Sequence, residues 1–353
     1  MAERVLRVGT RASALARTQA AWVAARLEER FPGLRCQLVP LTTRGDRDRS
    51  RPLYALEGTG AFVKELEQAL LAGEIDLAVH SAKDVPTRLP DGLELAAFPQ
   101  RESPADALVL PAGGPGAGHG GPVALRAAQP AGAAPGGEEP GAAGWARWLP
   151  PGARVGTSSL RRQALLRARR PDLRVEPVRG NLDTRLRRLD QGEFDALVLA
   201  AAGLRRLGLG ERITWELPVD ELPPAPGQGA LAVEVRAGDR PVRDLVAALD
   251  RPEVARAVRA ERAFLAELGG TCRVPLGALA RVEGESLVMI GLVAGLEGEP
   301  WLREALRGPA TAPEDLGRRL AARLLERGAG EILEAAARTA GSVPAPGQGP
   351  AGR

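Results

Sequence analysis

The chain has 353 residues, 44% of them hydrophobic and 3% aromatic, and its 48 basic and 44 acidic residues leave a net charge of +4. That length allows two or three domains with a sizeable core, and no apolar run approaches the roughly 20 residues of a membrane helix. Two cysteines, Cys36 and Cys272, exclude a disulfide framework and lack the neighbouring Cys or His of a metal site, while few aromatic platforms argue against nucleic acid as a partner.

Val5, Leu6 and Val8 predict a strand over Leu6 to Gly9 rather than a signal peptide, so a cytoplasmic protein is expected. Thr10-Arg11-Ala12-Ser13 then opens an amphipathic helix through Leu15, Ala16, Ala20, Val23 and Leu27. A strand is expected at Leu38 to Leu41, with Cys36 alternating against Leu34 and Leu38 as an inert thiol. A charged loop and Gly58-Thr59-Gly60 lead to a helix from about Ala61 to Leu71. The next run, Ile75 to Val79, suits a buried parallel strand and ends abruptly in His80, Ser81, Lys83 and Asp84 before Pro86. Ligands gather beyond the carboxyl ends of strands in open α/β sheets, so an ammonium beside a carboxylate here reads as a site; an ordinary polar loop is the alternative. The basic side is almost all arginine, with lysine at Lys64 and Lys83 alone. A compact ammonium kept next to Asp84 in such a chain reads as a chemical demand that arginine does not meet, with chance survival as the alternative.

The same order of features recurs. Arg154-Val155-Gly156-Thr157 repeats Arg7-Val8-Gly9-Thr10 and again precedes a helix, here at Leu160-Arg161-Arg162. Arg179-Gly180-Asn181 echoes Arg44-Gly45-Asp46, and Gly192-Glu193-Phe194-Asp195 echoes Gly73-Glu74-Ile75-Asp76. Three echoes in one order predict two α/β lobes of related plan with a cleft between them. Thr10, Ser13, Thr157, Ser158 and Ser159 sit where strand gives way to helix, where free N–H groups and the positive helix end accept anions. Arg11, Arg161, Arg162, Arg179 and Arg185 would add bidentate forks for carboxylate or phosphate. Plain helix capping, with the arginines in solvent, is the other reading of these residues.

Residues 111–144 are nearly all Gly, Ala and Pro and read as an excursion within the second lobe, His119 included. Pro218 to Gly229 reads as a crossing between lobes, followed by a strand at Ala230 to Val235 and a helix from about Pro241 to Leu249. A third unit begins near Pro252 with a long helix that stops at Gly269-Gly270. Strands near Leu276 to Val282, Leu287 to Val293 and Trp301 to Leu306 and a helix from about Pro313 to Arg327 complete it. Cys272 follows the two glycines on a turn where Arg273 would favour thiolate, though a lone cysteine is more often an inert apolar residue.

Val8-Gly9-Thr10-Arg11-Ala12-Ser13, Phe62-Val63-Lys64-Glu65-Leu66, His80-Ser81-Ala82-Lys83-Asp84-Val85-Pro86, Val155-Gly156-Thr157-Ser158-Ser159-Leu160-Arg161-Arg162-Gln163, Arg179-Gly180-Asn181 and Gly269-Gly270-Thr271-Cys272 together resemble the porphobilinogen deaminase (hydroxymethylbilane synthase) family. The resemblance runs from about Val5 to about residue 338, outside the insert. It implies an α/β fold of two periplasmic-binding-protein-like (type II) lobes with a cleft between them, plus a smaller α+β C-terminal domain. The implied divisions are 1–99 with 228–247, 100–223 and 252–342, with 343–353 as a tail.

The resemblance further implies a transferase that adds porphobilinogen head to tail, with loss of ammonia, to a dipyrromethane cofactor held by a thioether on Cys272. Four additions precede release of hydroxymethylbilane by water. Each pyrrole bears two carboxylates, so a chain of six rings brings about twelve into the cleft, which suits arginine-lined walls. By the same match Asp84 is catalytic: it would stabilise the cationic carbon left by ammonia and pass a proton to the departing amine. Lys83, Ser13, Thr157 and Ser159, with Arg161, Arg162 and Arg185, map onto cofactor-binding positions. Arg11, Arg179, Arg206, Phe62 and Ser81 map onto substrate-binding ones. No metal, nucleic acid or membrane partner is implied, and a monomer is expected. Ala55 and Thr59 depart from the family's loop lysines, which leaves any lysine role in closure without its residues here. The competing class is a two-lobed binding protein for small polycarboxylate anions.

Overall fold

Two five-stranded sheets and one three-stranded sheet are built from residues 4–43, 63–113, 144–269 and 274–342, the parts of the chain that the computed structural model describes. The first lobe holds β1 (Arg4–Arg11), α1 (Ala14–Arg30), β2 (Leu34–Leu41), α2 (Lys64–Leu71), β3 (Leu77–Ser81) and β4 (Leu93–Ala97). The chain crosses to the second lobe as β5 (Asp106–Val109). There follow β6 (Arg154–Gly156), α3 (Leu160–Arg169), β7 (Arg174–Glu176), α4 (Leu182–Asp190), β8 (Ala196–Ala200), α5 (Ala201–Arg206) and β9 (Trp215–Glu216). It returns as β10 (Leu231–Arg236) and α6 (Arg240–Ala247).

The predicted duplication is present strand by strand. The sheets run β2-β1-β3-β10-β4 and β7-β6-β8-β5-β9, each with three parallel strands and then the strand that has just crossed, set antiparallel. Val8 and Gly9 pair with Leu77 and Ala78, as Val155 and Gly156 pair with Ala196 and Leu197. Asp76 accepts the Arg7 backbone N–H at 2.7 Å, and Asp195 accepts that of Arg154 at 2.7 Å. The repeated glycine has a packing cause: a Cβ on Gly9 would lie 2.2 Å from Ile75 Cδ1, and one on Gly156 2.5 Å from Leu197 Cδ2.

Strand alternation sorts the cores. In the first lobe Leu6, Val8, Leu77, Val79 and Val233 pack under α1 and α6, while Ala78 and Ile75 meet Leu66 and Leu70 of α2. In the second, Val155, Ala196 and Val198 pack with Leu165 and Leu166 of α3, and Leu197 and Leu199 with Leu186 and Leu189 of α4. Each fully buried Leu, Val or Ile among them contributes about 1.5–3 kcal/mol of burial free energy.

The third unit is α7 (Pro252–Glu267), an antiparallel sheet of β11 (Leu276–Glu283), β12 (Ser286–Ala294) and β13 (Trp301–Pro309), α8 (Pro313–Glu326) and α9 (Ala329–Ser342). The α+β character is as expected; α9 is an addition, with Ile332, Leu333 and Ala336 buried. This unit touches both lobes: Ala255 and Val258 pack with Val85 and Phe98, and Leu292 and Ala294 join the second lobe's core. It also sits tightly on the returning segment, where the Ala278 N–H donates to Pro224 O at 2.9 Å and a Cβ on Gly277 would lie 2.3 Å from Pro223 O. No helix among the described residues is long and apolar enough to cross a membrane.

Candidate active site

β3 runs on through His80 and Ser81, further than its apolar content predicts. His80 is therefore part of the sheet and not of the loop expected after Val79. It is buried with Nε2 3.0 Å from Glu234 Oε2 on β10, because strand alternation turns it to the face shared with Ala78 and a carboxylate is there to meet it. Ser81 Oγ accepts from the Gln19 amide at 3.0 Å and donates to its oxygen at 3.3 Å, tying the strand end to α1. The chain then tightens into one 3-10 turn, Ala82–Asp84, closed by the Val85 N–H to Ala82 O at 3.3 Å. Pro86 keeps Val85 extended (φ −82°, ψ 125°), which ends the turn. Ala82 is buried, so Lys83 and Asp84 are the side chains the turn leaves partly exposed.

Behind this turn lies a polar joint between the two crossings. Gln228 is fully buried between Gly227 (φ +75°) and Gly229 (φ +83°). Its amide oxygen accepts from Lys83 Nζ at 3.3 Å and Arg162 Nη2 at 3.3 Å, and its nitrogen donates to Pro104 O and Asp106 Oδ1, both at 2.8 Å. Asp106 pairs with Arg161 at 2.7 Å and Arg162 at 2.8 Å. Arg161 and Arg162, expected as carboxylate forks, are only 3% and 8% exposed and spend further donors on Pro223 O and Val198 O. Guanidinium groups buried to that degree need an internal counter-ion, and Asp106 supplies it. Burial opposes the charge on Asp106, but the two arginines outweigh it and hold the carboxyl below its usual range. Arg101 completes the joint, donating to Gln228 O at 3.2 Å and to both oxygens of fully buried Glu261 at 2.7 and 3.1 Å.

Sequence reasoning did not single out Asp106, Gln228, Arg101 or Glu261. Two of the four have a signal: Asp106, a lone Asp heading the apolar strand Asp106-Ala107-Leu108-Val109, and Gln228, held between glycines in a crossing; Arg101 and Glu261 have none.

The second lobe supplies the facing wall. Ser159 caps α3 by accepting the Arg162 N–H at 3.4 Å, and Ser13 caps α1 by accepting that of Ala16 at 3.3 Å, so the capping reading holds for both hydroxyls. Thr157 is buried, its N–H on Glu176 O at 2.8 Å. Arg185 donates to Gly180 O at 2.8 Å and Arg206 to Gly229 O at 2.7 Å; Arg11 and Arg179 are partly buried. Lobe meets lobe at Gly203 of α5, where a Cβ would lie 3.5 Å from Leu15 Cδ2 of α1.

The cations crowd one another. Burial, with Arg162 and Arg161 adding to it, pushes Lys83 down to about 8 against the pull of Asp84 and Asp106. Arg185 is pushed down to about 10 by burial and then by Arg162 and Arg179. Such a cluster resists its own charge and gains from an anionic ligand. Cys36 is inert, as expected, its thiol pushed up to about 11 by burial. Cys272, Phe62, Ala55, Thr59, His119 and the bulk of the Gly/Ala/Pro insert lie outside the described residues. The helix stop expected before Cys272 is seen at Gly269, which has φ +98° just past α7.

Two family models match the chain: porphobilinogen deaminase, dipyromethane cofactor binding domain, over residues 6–244, and porphobilinogen deaminase, C-terminal domain, over residues 255–326. A curated protein of Syntrophotalea carbinolica named porphobilinogen deaminase is 49% identical over 335 residues, 95% of this chain and 97% of that one. One of the same name from Moorella thermoacetica is 48% identical over 329 residues, 93% of this chain and 96% of that one.

Proposed function

The chain belongs to the porphobilinogen deaminase family, and from that premise we propose which of its residues carry the reaction. The activity is a transferase one: porphobilinogen is condensed head to tail with loss of ammonia, and the linear tetrapyrrole hydroxymethylbilane is released by water. The family match favours this over a polycarboxylate-binding protein without activity. A dipyrromethane cofactor belongs to the same domain. When bound, it supplies the pyrrole carbon from which the product grows.

The donor set suits such a group. Lys83 and Arg185 have their charge disfavoured by burial and by neighbouring guanidinium groups, and carboxylates between them relieve both. Lys83, Arg185, Ser13, Thr157 and Ser159 hold the cofactor, while Arg161 and Arg162 act from behind, as positive charge fixed in place by Asp106. Arg11, Arg179, Arg206, Phe62 and Ser81 receive substrate, and Cys272 carries the cofactor through a thioether. Asp84 is the catalytic carboxyl. It gives a proton to the nitrogen as the carbon–nitrogen bond of porphobilinogen breaks, stabilises the positive charge left on the methylene carbon, and takes up the proton released when the new carbon–carbon bond forms. The chain divides at 1–99 with 228–247, 100–223 and 252–342, and it acts as a cytoplasmic monomer.

The observation that carries the reading is the Asp84 carboxylate next to Lys83, on a turn backed by Gln228 and the Asp106-paired arginines. Its test is Asp84→Asn. The variant is expected to keep the cofactor's added mass and lose turnover; normal turnover would remove Asp84 from the role.

A further inference from the structure

α7 carries two adjacent charged residues with different partners. Glu261 faces the crossings, accepting from Arg101, from Gly227 N–H at 2.6 Å and from Ala280 N–H at 2.8 Å. Arg262 reaches into the first lobe, to the segment directly after the 3-10 turn. Its Nη1 donates to Val85 O at 3.0 Å, and its Nη2 to Pro86 O at 2.6 Å and Thr87 O at 3.3 Å. One planar group thus holds three consecutive carbonyls, a pattern a lysine cannot reproduce. Val258 and Ala255, one and two turns earlier on the same helix face, pack with Val85 and Phe98, so the contact is anchored by apolar burial as well. The charge of Arg262 is opposed by burial, which pushes it down to about 10, and supported by nearby Glu234. It remains a cation at neutral pH.

We propose that Arg262 is a positioning residue for Asp84: from the third unit it fixes the carbonyls that follow the turn and so sets where the Asp84 carboxylate stands. The inference rests on the catalytic reading of Asp84. Val85 links the two directly, since its N–H closes the turn on Ala82 O while its carbonyl is held by Arg262. The same helix ends at Glu267, shortly before Cys272 in the sequence, so the element that fixes Asp84 also leads to the proposed cofactor cysteine. Catalytic groups held about 1 Å out of place lose on the order of 10²-fold in rate without losing ground-state binding.

The test uses purified holoenzyme with Arg262→Ala, Arg262→Lys and, as reference, Asp84→Asn. For Arg262→Ala the expected results are retained cofactor mass, kcat lowered about 30- to 100-fold with KM for porphobilinogen within about threefold, and partial recovery of kcat on adding free guanidinium. Amide exchange in the peptide over residues 80–89 should quicken about tenfold or more while that of α1 stays unchanged. Arg262→Lys should recover only a minor part of kcat, and it carries the same readings if the alanine variant does not fold. A folded variant with kcat within about twofold of the parent, or one whose exchange quickens throughout the protein and which guanidinium does not help, overturns the proposal. If Asp84→Asn itself keeps turnover, the Asp84 reading fails and this inference with it; loss in Asp84→Asn with none in Arg262→Ala defeats the positioning role alone.

Discussion

The two lobes share a plan down to register, yet they end their equivalent strands differently. Leu77 and Ala196 occupy matching positions, so Ser81, Ala82, Lys83 and Asp84 correspond to Ala200, Ala201, Ala202 and Gly203. In the first lobe the strand ends in a one-turn 3-10 element bearing an ammonium and a carboxylate. In the second it passes straight into α5, whose small residues let Gly203 come up against Leu15 of the opposite lobe. A duplicated fold thus need not duplicate chemistry. One lobe presents the carboxylate proposed to react, and the other provides close approach and positive charge through Arg179, Arg185 and Arg206. The helix ends differ in the same way: α3 carries Arg161 and Arg162 in its first turn, neutralised by Asp106 on the crossing strand, where α1 has Ala14 and Leu15.

The sharpest way to break this comparison is to alter the matching strand ends. Asp84→Asn should lower kcat by about 10²- to 10⁴-fold, the range for loss of a general acid or base, whereas Gly203→Ala should leave it within about threefold because its Cβ meets only ordinary contact. Equal effects in steady-state assays would erase the asymmetry. Next in size is Asp106→Asn, which leaves two buried guanidinium groups short of a counter-ion; chemical denaturation should show a loss of about 3–5 kcal/mol. The equivalent aspartates probe the shared plan. Asp76 is 14% exposed at its side chain and also lies 3.6 Å from Arg236, against 37% for Asp195, so Asp76→Ala should cost about 2 kcal/mol and Asp195→Ala about 1 kcal/mol in the same experiment. A reversed order would mean the lobes are stabilised differently from what their hydrogen bonds indicate.

A further effect is one of pH and belongs to Glu67 of the first lobe. Buried Glu67 is pushed up from 4.5 to about 7, by burial and then by the charge of Glu234. Between those values the folded chain holds a proton that the unfolded chain has released, so stability falls as pH rises through this window and the full penalty applies above about 7. Glu67→Gln should therefore raise Tm by a few degrees at about pH 8 and leave it nearly unchanged at about pH 4.5, as thermal melts at the two pH values will report.

Much of this architecture was legible because it was written twice. The repeated Arg-Val-Gly-Thr segment and the repeated Asp before an apolar run carry the lobe plan, each for a local reason: a glycine under a bulky side chain, a carboxylate on a backbone N–H. β4 at Leu93–Ala97 and the two-residue β9 were not, since short edge strands hold little periodicity of their own and form where partners exist. His80 shows the same limit in reverse. A polar residue read as the end of a strand belongs inside it, because Glu234, 154 residues away, offers a buried partner. For the site, the motif around Lys83 and Asp84 was visible, while the pairing of Arg161 and Arg162 with Asp106 and the reach of Arg262 depend on contacts between distant parts of the chain.

The central claim is that Cys272 carries the group on which Asp84 acts. Intact-protein mass spectrometry of the freshly purified chain and of Cys272→Ala tests it most directly. The account predicts an added mass of two linked pyrrole rings on the parent protein and its loss in a Cys272→Ala variant that is still folded. An active parent at the mass of the bare chain, or an adduct that survives the substitution, would contradict it.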